Sequence, residues 1–187
     1  YRFAYSLHWN LIINQCSKDA LMSIKSCDIY SCNYSSPTLV LIIGESLARK
    51  HSSLYGYDKE TSPYQKNMEK QGKLTLFSNI VTPYNITADI IPYIFSLNNI
   101  DDNRYWSSSI FFPYIFKKAG YVVTFLSNQF TKIQDRDVFD FSGGGFLNIN
   151  SISNSLFTYR NSNKHKYDEG LLSDYDSIRN TIDHSKY

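Results

Sequence analysis

Apolar residues gather in a few short blocks along this chain, and their spacing predicts alternating strands and helices. Thr38 to Gly44 (TLVLIIG) is a continuous aliphatic run closed by glycine. Such a run suits a strand buried on both faces, as in a parallel sheet covered by helices. Leu74 to Val81 (LTLFSNIV) predicts a second strand, and Tyr121 to Leu126 (YVVTFL) a third. The blocks between them read as helices. In Glu60 to Gln71, Thr61 or Ser62 offers a cap, Pro63 suits the first turn and Gly72 supplies a stop. Ala88 to Leu97 has helical spacing with Pro92 inside it, and Trp106 to Ala119 ends at Gly120. Strand, helix, strand, helix, strand in that order predicts an α/β layered fold.

The flanks are less regular. Residues 1–37 are aromatic, polar and weakly periodic, which suits short helical pieces, and Ser35-Ser36-Pro37 reads as the end of a linker. The expected organisation is a connecting region over 1–37 and one domain over 38–187. From Asn128 to Asn163 the pattern fades. Gly143-Gly144-Gly145 marks a turn and lacks the Lys-Ser/Thr of a phosphate-binding P-loop. Asp168 to Asp183 predicts a last helix, with Leu171, Leu172, Tyr175 and Ile178 on one side.

Composition narrows the functional classes. At 187 residues the chain can bury one real core. A net charge of +2 argues for neither a nucleic-acid binder nor an acidic tail, and no nucleic-acid partner is expected. An aromatic share of 16% is expected to divide between core and half-wet surface. Cys16, Cys27 and Cys32 make an odd count, so at least one thiol is unpaired; a Cys27–Cys32 bridge fits an oxidising compartment. Their spacing is poor for zinc. No run of about 20 apolar residues spans a bilayer, and Tyr1 to Cys16 lacks the features of a signal peptide. The two ends read as a piece of something longer.

Three places lie where an α/β sheet presents functional groups, at the carboxyl ends of strands. Glu45, in Gly44-Glu45-Ser46, can bind a divalent cation or support a helix N-terminus. Thr87, opening the helical block that starts at Ala88, can cap that helix or act as a nucleophile; capping is the commoner use of such a residue. Ser127-Asn128-Gln129 follows the third strand, with Lys132 nearby, and this amide and ammonium can face a phosphate or simply line a solvated loop. His51 lies near the first turn, while His8 and His165 have no companions in sequence and default to surface roles.

Taken in order, these blocks resemble the catalytic domain of phosphoethanolamine transferases in the sulfatase and alkaline-phosphatase superfamily. The resemblance rests first on residues 38–62, where the strand ends in Gly-Glu-Ser and Ser53-Leu54-Tyr55-Gly56-Tyr57 and Thr61-Ser62-Pro63 follow. Leu74 to Ser96, Lys118-Ala119-Gly120-Tyr121 through Gln129, and Tyr167-Asp168-Glu169 continue it. It implies the N-terminal part of an alkaline-phosphatase-like sandwich, a mostly parallel sheet flanked by helices, with the C-terminal part absent. It implies Glu45 as a zinc ligand, Thr87 as nucleophile and zinc contact, and Asn128 and Lys132 as substrate-binding residues. It further implies phosphatidylethanolamine as donor, lipopolysaccharide or a related envelope glycan as acceptor, and a place on the inner membrane facing the periplasm.

The family's Asp-His-Gly ligands and its separate phosphate-contacting His do not appear. Asp183-His184 reads as a solvated helix end. The isolated chain is therefore expected to hold zinc weakly and to catalyse little. Other readings are a sulfatase or phosphodiesterase of the same superfamily, and a non-catalytic relic. The Cys/Ser-x-Pro-x-Arg pattern of sulfatases does not occur around Thr87.

Overall fold

The structure is a computed structural model of the chain. It describes all residues except 1, 30, 32–37, 45–46, 100, 102–103, 130–144, 163 and 183–187. The described fold is mixed α/β, with six α-helices and a two-stranded parallel sheet. The chain divides into two compact units, one of residues 1–34 with 84–187 and the other of residues 35–83.

The larger unit begins with α1 (Arg2–Lys25). This is one helix of 24 residues where the sequence predicted short pieces. No Gly or Pro interrupts it. Cys16, Ala20 and Ile24 recur every four residues and are all buried, so a single stripe holds the helix against the core. Helix α3 (Thr87–Phe95) buries Ile91 and Phe95. Pro92 sits inside it and lacks the N–H that would bond the carbonyl of Ala88, a defect of about 3 kcal/mol in an exposed helix.

The predicted helix over 106–119 is split. Trp106–Ser108 forms a 3-10 turn, and α4 runs only from Phe112 to Lys118. Pro113 explains the break, because its ring excludes the preceding turn of helix and it fits only at a helix start. Gly120 follows at φ 99°, a left-handed stop as expected.

Strands β1 (Thr124–Phe125) and β2 (Tyr159–Arg160) pair in parallel, with Thr124 opposite Tyr159 and Phe125 opposite Arg160. Parallel pairing requires a crossover. The connection here carries α5 (Asn150–Leu156). Lys117 secures the end of α5: its Nζ donates to Asn154 O at 2.6 Å and Phe157 O at 2.8 Å. The last helix, α6, is Gly170–Arg179, inside the range the sequence predicted.

An aromatic cluster runs through the core of this unit. Phe95 stacks on Phe112 at 5.7 Å and meets Phe125, Phe146 and Phe157 edge-on. Phe111 stacks on Phe146 at 5.4 Å, and Phe125 on Phe157 at 4.7 Å. Each such pair adds about 0.5–1.5 kcal/mol beyond simple burial. Arg160 lies over the Phe125 and Phe157 rings while its fork bonds Leu147 O, Ser153 Oγ and Asn148 Oδ1.

In the smaller unit, Thr38–Gly44 and Leu74–Val81 carry no strand ladder, in contrast to the prediction. A β-branched run becomes a strand only when a neighbour supplies its hydrogen bonds and a packing face. Leu39, Val40, Leu41 and Ile42 are instead exposed. The ordered part is a clasp between the two halves of the signature segment. Thr61 Oγ1 accepts from Ser53 N at 2.9 Å and donates to His51 O at 2.7 Å. Ser53 Oγ accepts from Ser62 N at 3.0 Å, and the Ser52 and Ser62 hydroxyls meet at 2.8 Å. Helix α2 (Pro63–Lys70) follows with Pro63 in its first turn, and Gly72 at φ 67° follows its end, as predicted.

Candidate functional site

Two expected site residues fall on described positions. Thr87 is the first residue of α3 and is half-buried. It does not occupy the capping position. That place belongs to Ile86, which is extended (φ −108°, ψ 129°) and makes no side-chain cap bond. The hydroxyl is thus presented from a helical first turn. Asp89 in the same turn favours the helix dipole, by about 0.3–1 kcal/mol, and would offset part of that end's attraction for an anion. Glu45 and Lys132 lie outside the described residues.

Asn128 follows β1 at its carboxyl end, as the sequence predicted, and it belongs to a connected polar cluster. Its Oδ1 accepts the backbone N–H of His165 at 2.7 Å, and its Nδ2 donates to Asp168 Oδ1 at 3.0 Å. An amide has two donors and two lone pairs, so these bonds use half its capacity. At the equivalent end of β2 stands Asn161, which is buried. Its Oδ1 accepts Ser127 N at 3.0 Å, and its Nδ2 donates to Ser127 O and to Asp174 Oδ2, each at 3.0 Å. Asp174, on α6, also meets His165 Nε2 at 2.8 Å.

His165 therefore has companions, contrary to the surface role expected of it. Its side chain is 25% exposed and that of Asp174 13%, so the pair is shielded without being sealed from water. Sequence reasoning missed His165, Asn161 and Asp174 because the second strand of the parallel pair, only two residues long, left no apolar run to mark it. The available signal was that residues just past the carboxyl end of any strand parallel to β1 lie at the same sheet end.

The structure thus joins Asn128 to His165, Asp168, Asn161 and Asp174 around one sheet edge, and carries Thr87 on α3 of the same unit. The two elements share the core through the Phe95–Phe125 contact at 5.8 Å. His51 is exposed and packs edge-on against Tyr57 at 5.4 Å. Cys16 and Cys27 are free thiols. Cys32, Gly143, Gly144 and the Asp183-His184 pair lie outside the described residues. Among the described residues no three His, Cys, Asp or Glu side chains converge as metal ligands. No described helix is long and apolar enough to cross a membrane.

Residues 37–187 match the sulfatase family model. The phosphoethanolamine transferase EptC of Escherichia coli K12 is 36% identical over 95 residues, which is 50% of this chain and 16% of that protein. The phosphoethanolamine transferase CptA of Salmonella typhimurium is 35% identical over a stretch of the same length and share. The phosphoethanolamine transferase EptA of Helicobacter pylori is 42% identical over 77 residues, 41% of this chain and 14% of that protein. The alignments therefore span about one sixth of these relatives' length. No solved structure gives a significant match. With its family model matched from residue 37 to 187, the chain belongs to the sulfatase family.

Proposed function

We propose that this chain is part of a transferase that moves phosphoethanolamine from phosphatidylethanolamine to lipopolysaccharide or another cell-envelope glycan. The reading rests on the family match and on relatives that are named phosphoethanolamine transferases. The structural observation that carries it is Thr87 at the first position of α3, with the capping place taken by Ile86.

In this reading Thr87 Oγ attacks the donor phosphorus. A bond forms from Oγ to phosphorus, the bond from phosphorus to the diacylglycerol oxygen breaks, and the proton lost by Thr87 ends on that leaving oxygen. The acceptor hydroxyl then attacks the same phosphorus, the Oγ–phosphorus bond breaks, and Thr87 regains a proton. An alcohol needs activation for the first step. Zinc, when bound, would supply it by lowering the hydroxyl pKa. Glu45 and Thr87 would contribute two of its ligands. Catalytic zinc takes three protein ligands and an open position, so these two alone make a weak site. Asn128 and Lys132 would hold the phosphoethanolamine group. The setting is the periplasmic face of the inner membrane.

The test is Thr87→Ala in the whole protein. Transfer to the acceptor should fall to background, and the phosphoethanolamine adduct seen on the wild-type Thr87 peptide by mass spectrometry should vanish. Undiminished transfer would remove Thr87 as nucleophile. Whole protein purified without chelator should also retain zinc, and its absence would end the metal part of the reading.

A further inference from the structure

We propose that Asp174, Asn161 and His165 are positioning residues that set the Asn128 amide at the carboxyl end of the sheet. This inference rests on the transferase reading, in which Asn128 meets the phosphoethanolamine group.

The geometry runs as a chain of fixed points. Asp174 Oδ2 receives both Asn161 Nδ2 and His165 Nε2. Through Asn161 it holds the main chain of Ser127, the residue before Asn128, at both its N–H and its carbonyl. It also fixes the ring of His165, the residue whose backbone N–H donates to Asn128 Oδ1. One carboxylate on α6 thereby controls Asn128 from two sides, through its main chain and through its side chain. Asp168 takes the amide nitrogen and leaves one N–H and one lone pair outside these bonds.

Gly170 is part of the device. A methyl group at this position would overlap Cγ and Nδ1 of the His165 ring and lie 2.6 Å from its Cβ. Only a glycine at the start of α6 leaves room for the ring to reach Asp174 one turn along. Asp174 and His165 are separated by nine residues in sequence, so their bond also closes the 166–169 turn onto α6. Groups that touch the reacting atoms lose much of their value when displaced by as little as 1 Å, which is why such support matters to rate and affinity.

The experiment compares Asp174→Ala, Asp174→Asn and Gly170→Ala in the whole protein, with phosphatidylethanolamine in mixed micelles as donor and circular dichroism as a check on folding. Asp174→Ala should raise the donor KM on the order of tenfold while kcat changes less. Gly170→Ala should do the same while deleting no hydrogen-bonding group. Asp174→Asn keeps a carbonyl oxygen for both donors and should stay within about threefold of wild type. The His165 Nε2 resonance should shift in Asp174→Ala and in Gly170→Ala. A folded Gly170→Ala with wild-type KM and an unshifted His165 overturns the inference, and it serves as the test if Asp174→Ala does not fold. A wild type that transfers nothing overturns the transferase reading, and this inference with it; an active wild type beside unaltered variants overturns the inference alone.

Discussion

The Asn161 side chain pairs with the main chain of Ser127 as a strand residue would, taking its N–H and donating to its carbonyl, each at 3.0 Å. The backbone ladder itself is two residues long, Thr124 with Tyr159 and Phe125 with Arg160. A primary amide offers an N–H and a carbonyl oxygen side by side, so Asn161 can grip both the N–H and the carbonyl of one residue and adds a rung just past the backbone ladder. This rung places Asn128 at the sheet end and ties it to α6 through Asp174.

Asn161→Ala should destabilise the larger unit by about 1–3 kcal/mol, because it removes the side chain of a buried residue that bonds the Ser127 N–H and carbonyl and one oxygen of Asp174. Asn161→Asp should cost more. It keeps the shape, loses the two N–H donors and sets a second carboxylate against Asp174. Urea unfolding followed by near-ultraviolet circular dichroism reads both. Equal midpoints for wild type and Asn161→Asp would mean that the rung carries no weight.

Much of this fold was readable in the chain where punctuation residues decide the outcome. Pro63, Gly72 and Gly120 marked helix ends correctly, because each fixes backbone angles locally. The α6 helix and the position of Asn128 after β1 were readable for a similar reason. What failed depended on partners distant in sequence. Thr38–Gly44 has strand composition and no ladder, since pairing is not a property of one segment. The 106–119 block had helical residues, but Pro113 decided where the helix starts. His165 looked solitary because Asp174 is nine residues away and reaches it only through the start of α6. Thr87 and Asn128 were legible as candidates; the network supporting Asn128 was not.

Cys27 should alkylate well before Cys16. Burial of Cys16 in the α1 stripe pushes its thiol above the usual range, which leaves little reactive thiolate at neutral pH, whereas Cys27 is only half-buried. Peptide mapping after brief iodoacetamide treatment at pH 7.5 distinguishes the two. Comparable labelling of Cys16 under native conditions would mean that α1 does not hold its stripe against the core.

Tyr93 should ionise late, at about 12. Burial is the main cause, followed by its hydrogen bond to the Tyr84 hydroxyl, whose ring lies 5.5 Å away. The sign follows from linkage. The folded state holds the proton more tightly than the unfolded chain, where the value is 10.0. This contribution to stability is therefore complete below pH 10 and is lost as pH rises through about 12. Tyr93→Phe should flatten the alkaline fall in stability across that window. An equally steep fall in the variant would assign it to other groups.

The apolar run that failed to become a strand should govern the solubility of the isolated chain. Val40 is 73% exposed and Ile42 86%, in a segment with no strand ladder. Short exposed segments of high β propensity and no charge are templates for pairing with other copies. A lysine at position 42 opposes that pairing by charge and removes little buried surface. Ile42→Lys should therefore delay aggregation, read by light scattering during concentration, and leave the unfolding free energy within about 0.5 kcal/mol. If the substitution instead lowers stability by several times that amount, Ile42 is packed in solution and the segment has found its strand partner.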